Sequence, residues 1–363
     1  MLTIAIPTYN RNERLNRSLR VLLPQISAHS SFCRLVFLDN CSPTPITETL
    51  PVVMNEFPQV QYEVVRNKQN IGANANIMRC FEMCETEWIW CLSDDDPVAD
   101  NALAIVRQHV EEYSDCVYIN FPYDNLRPRT YLTTGIDEFV DKLDYSSNLP
   151  WIASSIHRAA NMQANIKYGY QFAYSMLPHV ATLLISLGQQ GKCCMSNAQI
   201  MGVNDDSTPF EEQWSIVTFA LGSPVIYDLP FSFSTRKKLA NKLLVTSHGE
   251  SVRLRVVVVQ LLLAYFQGNE HTERFDKGNL LFHYDQAVSR NYYLYRRFGK
   301  RGLLIAYYRL MVRYPDLTGK VLRLFQKKLP GLLGRQDRYV RLVEFLRLPR
   351  LDTVGRQSRY ERV

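Results

Sequence analysis

The sequence contains no run of about 20 consecutive apolar residues, the length a helix needs to cross a bilayer. Its most apolar stretch, Val256 to Phe266, is interrupted by Gln260 and is too short. The basic, apolar and cleavage regions of a secretory leader are missing, because the chain opens at once on the strand-like MLTIAIP. A cytoplasmic location is the expectation. There is no Cys-x-x-Cys pair and no histidine at zinc-finger spacing. The eight cysteines therefore read as reduced, mostly buried thiols, with Cys80 and Cys84 one helical turn apart. Internal repeats and low-complexity tracts are also lacking. Charged residues are only 21% against 46% hydrophobic, which excludes a disordered composition.

What is present is enough for a large core. The 363 residues suggest two domains, or one domain with an extension. The net charge of +7 is unevenly spread. Residues 290–363 hold 19 Lys and Arg against 5 Asp and Glu, a net of +14, which leaves −7 for residues 1–289. The last fifth of the chain thus suits an acidic partner or an anionic surface.

Strand and helix patterns alternate through the first 120 residues or so. Strands are predicted at 2–6, 34–38, 61–65, 87–92 and 116–121, and helices at 12–23, 47–57, 74–84 and 101–112, each from its apolar period. This pattern predicts an α/β fold, a mostly parallel sheet covered by helices. Ligands bind such sheets at the carboxyl ends of strands. Polar residues gather there: Thr8 to Arg11, Asp39-Asn40, Asn67 to Gly72, and Asp94 to Asp96. Residues 156–190 read as helical again, strand-like pieces are predicted near 198–203 and 224–227, and the chain beyond about 241 reads as all helical.

Asp94-Asp95-Asp96 follows the apolar strand EWIWCL. Three adjacent carboxylates raise one another's pKa, and a divalent cation relieves the conflict. Their oxygens are hard ligands suited to Mg2+ or Mn2+, which commonly takes one or two carboxylates and completes its shell with substrate phosphates. A solvated acidic turn is the other reading.

Four pieces carry a resemblance: IAIPTYNR (Ile4–Arg11), FLDNCSPT (Phe37–Thr44), VVRNKQNIGANAN (Val64–Asn76) and WCLSDDDP (Trp90–Pro97). In this order and spacing they resemble a family 2 glycosyltransferase of GT-A fold, with a flavour similar to abequosyltransferase-like enzymes of bacterial surface polysaccharide assembly. The resemblance implies a GT-A domain over 1–235, with a nucleotide-binding half (1–125) and an acceptor half (126–235), and it hardly reaches the helical, basic region 241–363. It implies an inverting transfer of a sugar from a nucleotide sugar to a glycan or lipid-linked acceptor in lipopolysaccharide, O-antigen or capsule synthesis. It places Pro7, Thr8, Asn10 and Arg11 in the nucleotide pocket, Asp39 on the base or ribose, and Asn70, Gly72 and Asn76 near ribose and sugar. The DxD motif falls on the triplet. Ser93 stands where the first Asp of the motif is usual, so the metal ligands are Asp95 or Asp96, with Asp94 toward the ribose or sugar. The residues have plainer readings too: Asn10 and Asn70 holding turns, Asp39 capping the next helix through its side chain, and Arg11 on the surface.

The family's acidic pair, expected about a hundred residues past the metal motif, is absent in clear form. His179, Asp205 and Asp206 are the candidates for the base, with Glu211-Glu212 behind them. His179 is also a candidate metal ligand or core residue. Trp151 and Trp214 are candidates for sugar stacking or for the core. In the tail, basic residues recur among Leu, Tyr and Phe, as on a helix lying against anionic lipid; no recognised motif points to nucleic acid. The readings carried beside the transferase are a nucleotidyltransferase, which would want a glycine in PTYNRNER, and a non-catalytic membrane- or partner-binding protein on a degenerate transferase fold. Donor, acceptor, linkage and oligomeric state are not legible.

Overall fold

The computed structural model describes residues 1–122, 127–144, 147, 149–202, 222, 225–243 and 313–314. All but the last two belong to one compact unit. Asp205, Asp206, Glu211, Glu212, Trp214 and nearly all of the basic C-terminal region lie outside the described residues.

The strands are β1 (Leu2–Thr8), β2 (Cys33–Asp39), β3 (Tyr62–Arg66), β4 (Trp88–Cys91), β5 (Tyr118–Asn120), β6 (Tyr131–Thr134), β7 (Ser155–Arg158) and β8 (Lys192–Met195). They form one sheet in the order β3-β2-β1-β4-β7-β5-β8-β6. β1 lies parallel to both β2 and β4, with Leu2 opposite Cys33 on one side and Trp88 on the other. β7 and β6 run against the rest. The sheet is thus mostly parallel, as the alternation predicts. The centre is apolar on both faces because helices cover both, so LTIAIPT reads as a continuous apolar run rather than an alternation. Edge strand β3 has no such cover and is largely exposed.

Helix α1 (Asn12–Ala28) buries Leu15, Leu19, Leu22, Leu23 and Ile26 against one sheet face. It continues past the predicted end at residue 23 even though Pro24 lies inside it. The lost backbone bond costs less than unpacking Leu23 and Ile26 would. Two short helices, α2 (Ile46–Thr49) and α3 (Pro51–Met54), replace the single helix predicted at 47–57, because Pro51 starts the second one. They share this face with α5 (Ala102–Glu112). On the other face lie α4 (Ala73–Glu82), α7 (Ala159–Ala164), α8 (Ile166–Gln171) and α9 (Pro178–Leu187). α6 is Gly135–Lys142.

Three predictions for the second half need correction. Residues 155–158 are strand β7, not the start of a helix; Ile156 and His157 point to opposite faces and both are buried, so no helical stripe is present to read. The strand expected near 198–203 lies earlier, at β8, built on the buried pair Cys193-Cys194. Only an isolated bridge between Met201 and Val98 remains at the predicted place. Residues 225–228 are helical where a strand was expected near 224–227. None of the eight cysteines is paired, and all but Cys41 are buried. Among the described residues no helix is long and apolar enough to cross a membrane.

Gly135 opens α6 at φ +71, and a Cβ there would meet the Gln189 carbonyl oxygen closer than real Cβ atoms come. Gly135→Ala is therefore expected to cost about 2–3 kcal/mol, from left-handed strain plus the clash with immovable backbone. Urea denaturation would measure it; a change below about 0.5 kcal/mol would mean that the turn relaxes freely.

Candidate active site

The chain leaves β1 toward β2 on one side, and returns from the β3 edge through α4 to β4 on the other. The connections therefore diverge between β2 and β4, and a crevice opens over the carboxyl end of β1, the topological switch point where α/β sheets bind ligands. Thr8 to Arg11 leave β1 into this crevice, and Ser93 to Asp96 enter it from β4.

The two loops meet directly. Thr8 Oγ1 donates to Asp94 Oδ2 at 2.6 Å, and Arg11 Nη1 donates to Asp94 Oδ1 at 3.1 Å and to Asp95 Oδ2 at 3.0 Å. Arg14 Nη1 reaches the same Asp95 oxygen at 3.3 Å. Ser93 Oγ donates to Asp95 Oδ1 at 2.6 Å, and Ser18 Oγ to the Asp94 carbonyl at 3.1 Å. Trp151 Nε1 donates to Asp96 Oδ2 at 2.9 Å. This triplet is not the solvated acidic turn of the plainer reading, since Asp94 is buried and each carboxylate has a protein donor.

The charges are uneven. Burial pushes the Asp94 carboxyl up, against the pull of Thr8 and Arg11. Burial also lifts Asp96, to about 7, with Asp95 and Asp94 adding to the rise and Trp151 opposing it. Asp96 as a residue keeps some accessible surface. Burial works to lower Arg11, but Asp94 and Asp95 outweigh it and hold the guanidinium charged. The cluster as a whole favours more positive charge than the protein supplies.

Among the described residues no group of three or more His, Cys, Asp or Glu side chains is arranged to hold a metal ion. A guanidinium nitrogen stands between Asp94 and Asp95. His179 is not among the residues that touch the triplet, so nothing in its contacts makes it a ligand.

The other residues implied by the resemblance form a network beside this cluster. Asp39, at the end of β2, is buried; it accepts the Ser42 N–H at 2.8 Å and pairs with Arg66. Asn10 has φ +54 and donates its N–H to Ser42 Oγ at 2.9 Å. Asn70 Oδ1 accepts from Asn40 at 2.8 Å and from the Gly72 N–H at 2.9 Å. Asn67 Nδ2 donates to Asn40 at 2.9 Å and to Asn76 at 2.8 Å, and Asn76 Nδ2 donates to the Leu38 carbonyl at 3.0 Å. These bonds agree with the turn-holding readings of Asn10 and Asn70; Asp39 instead accepts the Ser42 N–H ahead of the next helix, which starts at Ile46 with no side-chain cap. They also fix the ends of β2 and β3 on one rim of the crevice. Gly72, at φ +86, starts α4 with open space where a side chain would project. Pro7, in β1, is partly accessible.

His179 sits in the first turn of α9, 5% exposed, with Nε2 3.3 Å from the Leu149 carbonyl. Burial lowers its pKa to about 4 and leaves the ring neutral. Its contact is with the loop that delivers Trp151, two residues on from Leu149. Trp151 packs against the core, as its core reading expects, and its indole N–H also donates to Asp96. Arg14, Ser18 and Ser42 were not singled out by sequence, while Asn40 and Asn67 were named only among the polar strand ends. Arg14 could have been, because it lies one helical turn from Arg11.

Comparison with known proteins bears on the family and fold. Residues 3–167 match the family described as Glycosyl transferase family 2. Over 120 residues the chain is 26% identical to the abequosyltransferase RfbV of Salmonella typhimurium, covering 32% of this chain. The match spans 34% of that relative's length. Among solved structures, S. aureus TarS 1–349 aligns over 88% of this chain and 91% of its own, with TM-score 0.51 and 13% identity. Its complex with UDP aligns over the same shares with TM-score 0.54. At such identity these structures bear on the fold alone, which is that of a GT-A glycosyltransferase.

Proposed function

We propose that residues 3–167, a family 2 glycosyltransferase domain, work with the rest of a 1–235 catalytic unit to move a sugar from a nucleotide-sugar donor to a glycan or lipid-linked acceptor, with inversion, in the assembly of a bacterial surface polysaccharide. The observation that carries this reading is the junction of Thr8 and Arg11 with Asp94, Asp95 and Asp96 over the switch point of the sheet. The UDP complex of TarS and the abequosyltransferase name of RfbV support a nucleotide-linked donor and a glycosyl transfer.

In this reading the Asp39 and Asn70–Asn76 rim takes the nucleoside, and the triplet faces the diphosphate. Asp95 and Asp96 would hold Mn2+ or Mg2+, which when bound would supply positive charge toward the leaving diphosphate; Asp94, fixed by Thr8, holds the cluster in place and faces the ribose or sugar. Arg11 brings a second positive charge to the same point. The acceptor hydroxyl attacks from the opposite side and gives its proton to a base, for which His179, Asp205 and Asp206 are the candidates. The burial of His179 favours the two carboxylates. The net charge of +14 on residues 290–363 supports an anionic membrane surface as the place where a lipid-linked acceptor is met, on the cytoplasmic side.

A thermal-shift screen of UDP, GDP, CDP and dTDP sugars with and without Mn2+ tests the reading. A ligand at a hundred times its Kd should stabilise the fold by about 2.7 kcal/mol. One nucleotide series is expected to raise the melting temperature, more so with Mn2+. No shift from any series with metal present would refute a donor-binding role.

A further inference from the structure

We infer that Asn74 is a positioning residue: it pins a strained turn at Met176 and so holds residues 173–179 as the wall of the crevice that borders the acceptor sugar. The inference rests on the transferase reading above and adds to it what sets the place of the acceptor.

Asn74 lies in the first turn of α4, two residues past Gly72. A short amide side chain at such a place ordinarily bonds to backbone close in sequence. Asn74 does not. Its Nδ2 crosses to a segment 99 residues away, donating to the Ala173 carbonyl at 2.7 Å and to Met176 Sδ at 3.5 Å. Met176 needs such support. Its φ of +63 lies in the left-handed region, which residues with a side chain seldom adopt. Two bonds shape the turn from within: the buried Ser175 Oγ donates to the Phe172 carbonyl at 2.6 Å and accepts the Leu177 N–H at 3.2 Å. The Asn74 bonds add what these cannot, because they fix where the turn stands. Strain of this kind persists only when the surroundings over-determine it.

The same segment reaches the other rim. Three residues past Met176, His179 Nε2 lies 3.3 Å from the Leu149 carbonyl, two residues before the Trp151 whose indole donates to Asp96 at 2.9 Å. Residues 173–179 therefore run from the start of α4 to the loop that brings Trp151 to the triplet. With the nucleoside on the first rim and the diphosphate at the triplet, this span borders the space left for the attacking hydroxyl. It also carries Tyr174, 49% exposed, with the ring of the buried Phe172 stacked at 6.4 Å. An amphipathic aromatic on a fixed support suits a carbohydrate ring. A wall displaced by about 1 Å would spoil the approach of that hydroxyl, an error that can cost on the order of a hundredfold in rate.

The test labels the full chain with 5-fluorotryptophan, which gives a 19F resonance for each of its four tryptophans; Trp151→Phe assigns the one at residue 151. Asn74→Ala is expected to shift or split the Trp151 resonance. Adding Met176→Gly, which takes the left-handed turn without a pin, should return it toward the wild-type position; a merely structural loss would not be repaired by a second truncation. The activity arm uses the nucleotide sugar that gives the largest thermal shift, with water or the octyl glycosides of glucose, galactose, mannose and N-acetylglucosamine as acceptors. Asn74→Ala should lower the ratio of transfer to hydrolysis about tenfold, through the acceptor KM, and the double variant should recover most of it. A Trp151 resonance that does not move, or a ratio that stays at the wild-type value, overturns the inference. Where none of the glycosides accepts sugar, the resonance decides alone. If wild type neither binds nor hydrolyses any nucleotide sugar, the transferase reading falls with the acceptor role, and the resonance alone sustains or overturns the pin. Should Asn74→Ala fail to fold, Asn74→Asp, which keeps the size and loses the donor N–H, takes its place under the same criteria.

Discussion

Asp96→Asn should abolish the Mn2+-dependent part of the nucleotide-sugar thermal shift and lower kcat/KM about a hundredfold or more, while leaving the metal-free protein as stable as wild type or more so. The functional loss follows from charge. The substitution keeps an oxygen for the Trp151 indole and keeps the side-chain size, but it removes the anion that a metal would need. Lewis-acid stabilisation of a leaving diphosphate is worth several kcal/mol, and each 1.36 kcal/mol is tenfold in rate. The stability result follows from the pKa. Burial, with Asp95 and Asp94 nearby, raises the Asp96 carboxyl to about 7, well above its ordinary value of 3.8. Between pH 4 and 7 the native protein holds this proton while the unfolded chain has released it, so native stability falls as pH rises across that window and levels off above it. The asparagine variant does not suffer that loss. Melting curves in chelator from pH 4 to 8 should show the variant gaining on wild type up to about pH 7. A variant less stable than wild type at pH 8 would mean that the carboxylate is held by more favourable contacts than Trp151 alone. A metal-dependent shift that survives the substitution would remove Asp96 from the metal site and leave Asp95 as the ligand.

The first half of this molecule was legible because burial on both sheet faces leaves few ways to arrange LTIAIPT, CRLVFLD and WIWC. Their observed ends fall within two residues of the predicted ones. The acidic triplet stood out for the same reason, as charge set directly against apolar strand. Its partners did not stand out. Trp151 reaches Asp96 across 55 residues, and the contact depends on a loop whose path is set by Trp90 and His179 as much as by its own residues. The missing aspartate at Ser93 looked like a departure from the family motif. In space its hydroxyl holds Asp95, so the position still serves the cluster. The asparagines were read one at a time, as ligand contacts or as turn residues. They act as a set, because Asn40, Asn67, Asn70 and Asn76 bond mainly to one another. β7 and β8 were hidden for a different reason. Four-residue strands with histidine, serine and cysteine at buried positions carry no apolar period, and their partners were chosen by the sheet.

The largest expected effect on stability lies away from the triplet, at Arg127. Its guanidinium is wholly buried and donates to Asp144 at 2.9 and 3.1 Å, to the Asn120 side chain at 2.8 Å and carbonyl at 3.1 Å, to Ser147 Oγ at 3.2 Å, and to the Ser196 carbonyl. Asn120 ends β5 and Ser196 follows β8, so one side chain ties two parallel strand ends to the segment around 144–147. Asp144→Ala would leave that charge buried and unpaired, a change that costs about 3–5 kcal/mol in comparable cases; the partial exposure of Asp144 places the expectation near the lower figure. Arg127→Met should cost as much, by stranding the Asn120 and Ser196 acceptors. The double variant should cost less than the two single losses added together, by about 1–3 kcal/mol, because it removes both charges at once. The same pair predicts acid lability. Burial pushes Asp144 up, but the hydrogen bond and charge of Arg127 outweigh it and hold the carboxyl below its ordinary range. A lowered carboxyl contributes stability above its unfolded pKa and loses it as pH falls through the folded one. Wild type should therefore lose stability below about pH 4 more steeply than Asp144→Ala, and the gap between their urea midpoints should narrow as the pH drops. A gap that stays constant from pH 7 down to pH 3 would show that the Arg127 network is held by its carbonyl and hydroxyl acceptors and not by the ion pair.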